Sequence, residues 1–131
     1  MTVLAATRDY ITAVRALISD PARFRVWILA ADDDGGMVSP LGDAAGYCVH
    51  GALQHVTGRR DWQNADWMTP GGLASVLYGT AGSMFPEMAG PDVLGNVNNI
   101  LGHSAIMCLL DAALAVTEAE LILTEEALVT V

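Results

Sequence analysis

The segment from His103 to Val116 has the sequence HSAIMCLLDAALAV and is the most apolar stretch of the chain. On a helical projection its apolar residues lie nearly all round the axis, a pattern typical of a helix that is buried on most sides. We therefore predict that this segment is the central helix of a helical domain. Cys108 within it is expected to lie in the core.

The rest of the chain is divided by signals that start and stop helices. Asp20-Pro21 should end the first apolar stripe, because proline disfavours helical geometry in the residue before it. Asp43 and Gly58 have the residue types of an N-cap and a C-terminal stop. The predicted helices are 2–19, 20–31, 44–57, 69–78 and 102–116. The last residues, 117–131, begin with a capping-box pattern and fit either a final helix or edge strands.

The expected fold is therefore mainly α, a small single-domain bundle of about five helices with long irregular loops. A length of 131 residues suits one domain with a core of its own. Apolar residues make up 53% of the chain and charged residues 16%, against roughly 25% charged in typical soluble domains. So large an apolar share leads us to expect self-association or docking on a protein partner.

The charge of the chain is divided unevenly. All six basic residues are arginines at or before Arg60, and the net charge of −9 arises after that position. Such a chain would repel a phosphate backbone, so we do not expect nucleic-acid binding. No apolar run has the roughly 20 residues of a membrane span, and the start lacks a signal-peptide layout. We expect a cytoplasmic protein that does not enter membranes, with Cys48 and Cys108 reduced.

The segment Gly46–Gly58, with the sequence GYCVHGALQHVTG, combines a cysteine with two histidines. If all of it is helical, His50 lies about 200° round from Cys48, on the opposite face. His55 returns to the face of Cys48 but lies two turns away, about 10 Å. We therefore expect neither a Cys–His pair nor a zinc site within this helix. Gly51 would instead provide a small face on which another helix packs.

A catalytic site could still form between helices. His103 begins the predicted central helix, and a thiol near a helix N-terminus beside a histidine would have a lowered pKa and could act as a nucleophile. The catalytic set would then be Cys48, His103 and the amide of Asn98 or Asn99. The alternative is that Cys48 is a small buried side chain, that His103 packs or caps, and that the asparagines are turn residues.

The three tryptophans differ in their sequence surroundings. Trp27 falls on an apolar stripe and is expected in the core. Trp62 and Trp67 stand in the polar segment RRDWQNADWM, where exposed aromatic side chains more often anchor a partner than fill a core. We expect these two residues to bind a partner. A further hypothesis is a small-ligand pocket, and its lining would be Trp27, Tyr47, Cys48 and His103.

The acidic run Asp32–Gly36, with the sequence DDDGG, invites comparison with a calcium-binding loop. Counted from Asp32, an EF-hand requires glycine at the sixth position, where this chain has Met37. A solvated turn fits these residues better. The chain also lacks a Gly-rich phosphate loop, a GxSxG elbow and an HExxH helix. We therefore expect no metal and no cofactor.

Several of these motifs occur together in one order. They are Trp27, Asp34-Gly35, Ala45 followed by Tyr47-Cys48-Val49-His50-Gly51-Ala52-Leu53, Asn98-Asn99 and HSAIMCLLDAAL. On these residues the chain resembles, over 10–116, the small actinobacterial and actinophage proteins grouped as domain of unknown function 6197. It departs from their pattern at Asn99, where they have Asp, at Gly102, where they have Ser or Thr, and in the extension 117–131. The resemblance implies a bacterial cytoplasm or a bacteriophage virion as the setting, and it implies no activity.

Two functions follow from these observations as hypotheses. The first is a small acidic helical subunit for protein interaction or assembly, with a bacteriophage as one source. The alternative is a cysteine-dependent hydrolase or transferase that uses Cys48 and His103. A catalytic thiol would react with thiol reagents well below the ordinary thiol pKa of about 8.5, whereas a buried structural thiol would not.

Overall fold

The structure, a computed structural model, describes the secondary structure of residues 2–129. It describes the surroundings of the side chains for residues 2–64 and 66–125. Within this range the chain is mainly helical, as predicted. The helices are α1 (Val3–Ile18), α2 (Val49–Thr57), α3 (Leu73–Met84), α4 (Val93–Asn96) and α5 (His103–Val129), and a π-helical turn, Val97–Leu101, lies between the last two. Two short strands, β1 (Ala30–Ala31) and β2 (Gly46–Tyr47), pair antiparallel.

Helix α5 is the predicted central helix, but it is buried on one side only. It packs against α1 and α3. Its fully buried apolar residues are Ile106, Leu109, Leu110 and Ala113. Cys108 lies about 200° round the helix from Ile106 and is exposed. The expectation that Cys108 is a core residue is therefore wrong.

The tail is helical as far as Val129, because α5 continues to that residue without a break. Residues 130 and 131 of the predicted tail lie outside the described residues. Thr117 does not cap a new helix, since it is buried and its Oγ1 donates to the carbonyl of Ala113 at 2.7 Å within α5. No helix among residues 2–129 combines the length and the apolar character that a bilayer span requires.

The predicted helix 20–31 does not form. Asp20 caps only a single 3₁₀ turn, Pro21–Arg23, after which the chain is irregular as far as β1. Trp27 is consequently not a core residue, and its side chain is 74% exposed. Long-range hydrogen bonds replace the helical ones here, since β1 pairs with β2 and the carbonyl of Leu29 accepts the N–H of Cys48. The β-branched and aromatic residues of this segment favour such pairing over a helix.

Helix α2 begins at Val49 rather than at Ala44, because the residues before it belong to β2. Cys48 is therefore the N-cap in place of Asp43, and its Sγ accepts the N–H of Gly51 at 3.3 Å. The predicted end of this helix is confirmed, since Gly58 follows it with a φ of +68°.

Helix α3 begins and ends later than the predicted 69–78. Gly79 does not end it, because the buried face formed by Leu73, Leu77 and Ala81 continues at helical spacing past the glycine. The predicted long connection after it contains a 3₁₀ turn, Pro86–Met88, and α4. Helices α3 and α4 pack together and place the start of α4 beside α2.

Candidate functional site

A cavity of about 200 Å³ lies where the segment 27–29, the start of α2 and the α4 region meet. We call it the polar cavity. Its polar side chains are Cys48, His50, Asp92, Asn98 and Asn99, and Trp27, Ile28, Leu29 and Gly95 complete the lining. These residues come from three segments that are distant in sequence, so the tertiary fold brings the segments together.

His50 and Asp92 form a hydrogen-bonded pair in this cavity. The Nε2 atom of His50 lies 3.1 Å from Oδ1 and 3.0 Å from Oδ2 of Asp92. The hydroxyl of Tyr78 donates to Oδ1 at 3.1 Å, and the N–H of Gly95 donates to the same atom at 3.0 Å. These bonds, led by that from His50, lower the pKa of Asp92 to about 2. The carboxylate is therefore ionised at neutral pH.

Tyr78 and Trp62 support this pair from behind. Burial, together with the charge of Asp92, raises the pKa of Tyr78 far above its usual value, so its hydroxyl remains a donor. Gln63 donates to that hydroxyl from Nε2 at 2.6 Å. The Trp62 ring stacks on the Tyr78 ring at 6.1 Å and lies 5.6 Å from the ring of His50. Trp62 is thus a structural part of the cluster.

Trp62 does not belong to the expected partner surface, because it is buried, and a partner role for Trp67 stays a prediction. Trp62 is 0% exposed, because the turn that carries it directs its ring into the core despite its polar neighbours. Trp67 is half-buried, its ring centroid lies 5.5 Å from that of Tyr10, and the guanidinium of Arg59 lies 5.4 Å over it. The exposed tryptophan is Trp27, which was expected in the core.

Asn98 and Asn99 join the segments around the polar cavity. Asn98 is 1% exposed, and its Oδ1 accepts the N–H of Val49 at 2.8 Å. Its Nδ2 donates to the carbonyl of Arg25 at 3.1 Å and to Oδ1 of Asn99 at 2.9 Å. The same Oδ1 of Asn99 accepts the N–H of Trp27 at 2.8 Å. The two amides therefore connect α2, the π-helical turn and the irregular segment before β1.

Trp27 has a φ of +61° and is the one non-glycine residue with a positive φ in the described part of the chain. This left-handed conformation is unfavourable for a bulky side chain and costs of the order of 1–3 kcal/mol. The bond from the Trp27 N–H to Oδ1 of Asn99 holds the backbone there while the indole remains largely in solvent. Trp27 is thus unfavourable in two respects, since its backbone is strained and its apolar indole is left in solvent.

A second, wider groove of about 520 Å³ lies on the other side of the segment 27–29. We call it the apolar groove. Besides Trp27, Ile28 and Leu29 it is lined by Met37, Val38, Ser39, Pro40 and Arg60. Met37 is 81% exposed. The two recesses therefore share one wall.

The structure does not bring Cys48 and His103 together. The Nε2 atom of His103 lies 2.8 Å from the carbonyl oxygen of Ile18, its ring packs on Phe24, and it does not line the polar cavity. Burial raises the pKa of the Cys48 thiol, which disfavours the nucleophilic thiolate. Of the predicted catalytic set, Cys48 and Asn98 share the cavity and His103 lies elsewhere.

Cys48 and His50 line the same cavity, contrary to the helical projection. Cys48 precedes α2 in an extended conformation, with a ψ of 175°, so the angle of 100° per residue does not apply to it. Tyr47, expected in a ligand pocket, is buried, and its hydroxyl donates to the carbonyl of Gly42 at 2.9 Å. His55 lies 3.3 Å from that hydroxyl and takes no part in the cavity.

The acidic run before Met37 forms a hydrogen-bonded turn. Oδ1 of Asp32 accepts the N–H groups of Asp34 at 3.0 Å and Gly36 at 2.8 Å. Across the part of the chain that the structure describes, no three His, Cys, Asp or Glu side chains are arranged to hold a metal ion.

No family model, no curated protein and no solved structure matches this chain. The resemblance to domain of unknown function 6197 thus stays a prediction from short motifs.

Proposed function

We propose that this chain is a binding module that takes a segment of a protein partner in the apolar groove beside Trp27. The observation that carries the proposal is the state of Trp27, whose backbone is held at a φ of +61° while its indole is 74% exposed. Tryptophan is among the residues that contribute most to protein interfaces. In the isolated chain the apolar indole remains largely in contact with solvent. A partner that covers it would bury this surface.

The surroundings of Trp27 extend this surface. Val26, Leu29, Met37 and Leu41 are exposed apolar side chains on the same segment or on the loop after β1. An exposed methionine beside an aromatic anchor adapts to partners of different shape. Leu29 and Met37 line the apolar groove together with Trp27, and an exposed apolar patch typically marks an interaction site. The first hypothesis from the sequence is thus retained with a different set of residues.

Selection from a displayed random peptide library tests the proposal. Trp27→Gly removes the indole and suits the left-handed backbone, so the variant should keep its fold. We expect selected peptides to bind the Trp27→Gly variant about 30-fold more weakly than the wild type, the effect of losing an interface anchor worth 2 kcal/mol. Trp67→Phe is the matched control and should leave binding unchanged, since Trp67 lies outside the groove.

Either of two outcomes contradicts the proposal. The library yields no peptide, or the selected peptides bind the wild type and the Trp27→Gly variant equally. Light scattering on the same two proteins shows whether the partner is a second copy. In that case the wild type forms a concentration-dependent dimer and the variant remains a monomer.

The cysteine-dependent hydrolase or transferase is the alternative proposal, and it has less support. His103 is hydrogen-bonded to Ile18, and burial raises the pKa of Cys48. The imidazole in the cavity, that of His50, directs its Nε2 at Asp92. A thiol with a raised pKa and no base assigned to it is poorly suited to nucleophilic catalysis.

A further inference from the structure

We infer that the polar cavity binds a basic side chain, a guanidinium or an ammonium group, from the segment that occupies the apolar groove. This inference rests on the proposed function and adds a charge requirement for the partner. Three features of the cavity support it, namely its carboxylate, the absence of arginine and lysine from its lining, and its aromatic rim.

The carboxylate of Asp92 retains room for a cation. Its Oδ1 accepts bonds from three donors, His50, Tyr78 and Gly95, whereas its Oδ2 accepts a bond from His50 at 3.0 Å. The bond from His50 is shared between the two oxygens, so three donors occupy a carboxylate with about four acceptor sites, and Oδ2 can take a further donor. The Asp92 side chain is 47% exposed, and a ligand can therefore reach it.

No arginine of the chain neutralises this carboxylate. None of the residues that line the polar cavity is an arginine or a lysine. Among the described ion pairs, three arginines already bind other acids, as Arg8–Asp9, Arg15–Asp111 and Arg59–Asp61. The guanidinium of Arg25 binds the backbone carbonyls of Ala22 and Phe24. With a net charge of −9, the whole protein also attracts a basic partner.

The shape of the cavity suits one side chain. Its volume of about 200 Å³ is below the 300–1,000 Å³ of pockets for drug-sized ligands. Trp27 lies on its rim, and an indole next to a carboxylate is a favourable environment for an organic cation. Trp27, Ile28 and Leu29 line both recesses, so a segment lying across them can fill the groove and extend one residue into the cavity.

Binding of blocked amino acids tests the cavity without any partner. The probes are the Nα-acetyl amides of arginine, lysine and citrulline, followed by NMR at the His50 ring and the Trp27 indole. Citrulline has nearly the shape of arginine without its charge. We expect saturable shifts with arginine and lysine, and at least ten-fold weaker binding of citrulline.

Two variants with equal charge changes locate the site. Asp92→Asn keeps an N-cap side chain for α4 and removes the charge, so we expect at least a ten-fold loss of arginine binding. Asp111→Asn removes one charge at a distant ion pair and should bind as the wild type does. Equal binding of citrulline and arginine, equal behaviour of the two variants, or no saturable shift would each overturn the inference.

The outcomes also separate this inference from the proposed function. Library peptides that need Trp27 but carry no basic residue would support the groove and overturn the charge requirement. Arginine binding that depends on Asp92, together with an empty library selection, would support the cation site and contradict the protein partner. The citrulline comparison uses the wild-type protein, so it is decisive even if the Asp92→Asn variant folds poorly.

Discussion

Asn99 holds the backbone of Trp27 across 72 positions of sequence, through a bond of 2.8 Å from the Trp27 N–H to its Oδ1. The neighbouring Asn98 binds the backbone of Arg25 and of Val49 in the same way. The backbone that carries the exposed indole is consequently held by the half-buried amide of Asn99, which is itself bonded to the buried amide of Asn98. Such preorganisation reduces the entropy cost of binding a partner.

Replacing Trp27 by glycine should raise the free energy of unfolding by about 1 kcal/mol, because glycine adopts a positive φ without strain. Trp27→Ala should not share this gain, since alanine is also strained there. Urea denaturation of the three proteins measures the difference. A Trp27→Gly variant that is less stable than the wild type would show that the indole contributes to the fold itself.

Asn98→Ala should lower the free energy of unfolding by about 1–3 kcal/mol, because it leaves the Val49 N–H and the Arg25 carbonyl without their partner. Asn99→Ala should cost less, since Asn99 is only half-buried. The same denaturation experiment compares the two variants. Equal and small losses would mean that water replaces the Asn98 amide.

Gly51→Ala should lower stability by about 3 kcal/mol or more, as severe overpacking does. A Cβ atom at this position would lie only 1.8 Å from the carbonyl oxygen of Leu29, which belongs to the backbone and cannot move aside cheaply. Gly79→Ala is the matched control, because nothing lies within 4 Å of its Cβ position. That variant should gain roughly 0.5–1 kcal/mol from helix propensity. Thermal melts of both variants test the contrast.

Asp92 should contribute to the acid limb of the stability profile. Its pKa falls from 3.8 to about 2 on folding, so its contribution is fully present above pH 3.8 and is lost as the pH falls through about 2. Unfolding free energies measured across this range should fall less steeply in the Asp92→Asn variant. Arg59 also lowers the pKa of Asp61, so Asp61 contributes to the acid limb in both proteins. The difference between the wild type and the Asp92→Asn variant removes this shared contribution. Identical slopes would contradict the lowered pKa of Asp92.

The two cysteines should differ in their reaction with a thiol reagent at pH 6. Cys108 is exposed and should be modified first, whereas Cys48 is buried and its thiol has a raised pKa. Mass spectrometry of the labelled protein, with Cys48→Ala and Cys108→Ala as references, assigns the modified residue. Rapid modification of Cys48 would instead favour the cysteine-dependent enzyme.

The fold class and several helix ends could be predicted from the sequence, because they depend on local properties. Pro21 and Gly58 mark helix ends through the φ angles that proline and glycine adopt. The segment 20–31 was predicted wrongly because its apolar spacing fits a helix, while its hydrogen bonds are made with residues far along the chain. A local pattern contains no information on such partners.

Most residues of the candidate site could not be predicted from the sequence. Cys48 and Asn98 are predicted site residues because of their residue types, but the projection that separates Cys48 from His50 assumes a helix that begins five residues before the real one. Asp92 gave no signal, since an aspartate after a proline resembles any turn or cap. Its role depends on Tyr78 and His50, which only the packing of α3 and α2 brings to it.

The π-helical turn Val97–Leu101 makes this stretch intolerant of a change in length. Its backbone includes a bond from the Gly102 N–H to the carbonyl of Val97, one residue wider than in an α-helix. Deleting a residue here would restore the α-helical spacing and rotate Asn98 and Asn99 by about 100°. Both asparagines would then lose their backbone partners at once. Among related chains, insertions and deletions should therefore gather in the exposed loop 32–37 and spare 97–101.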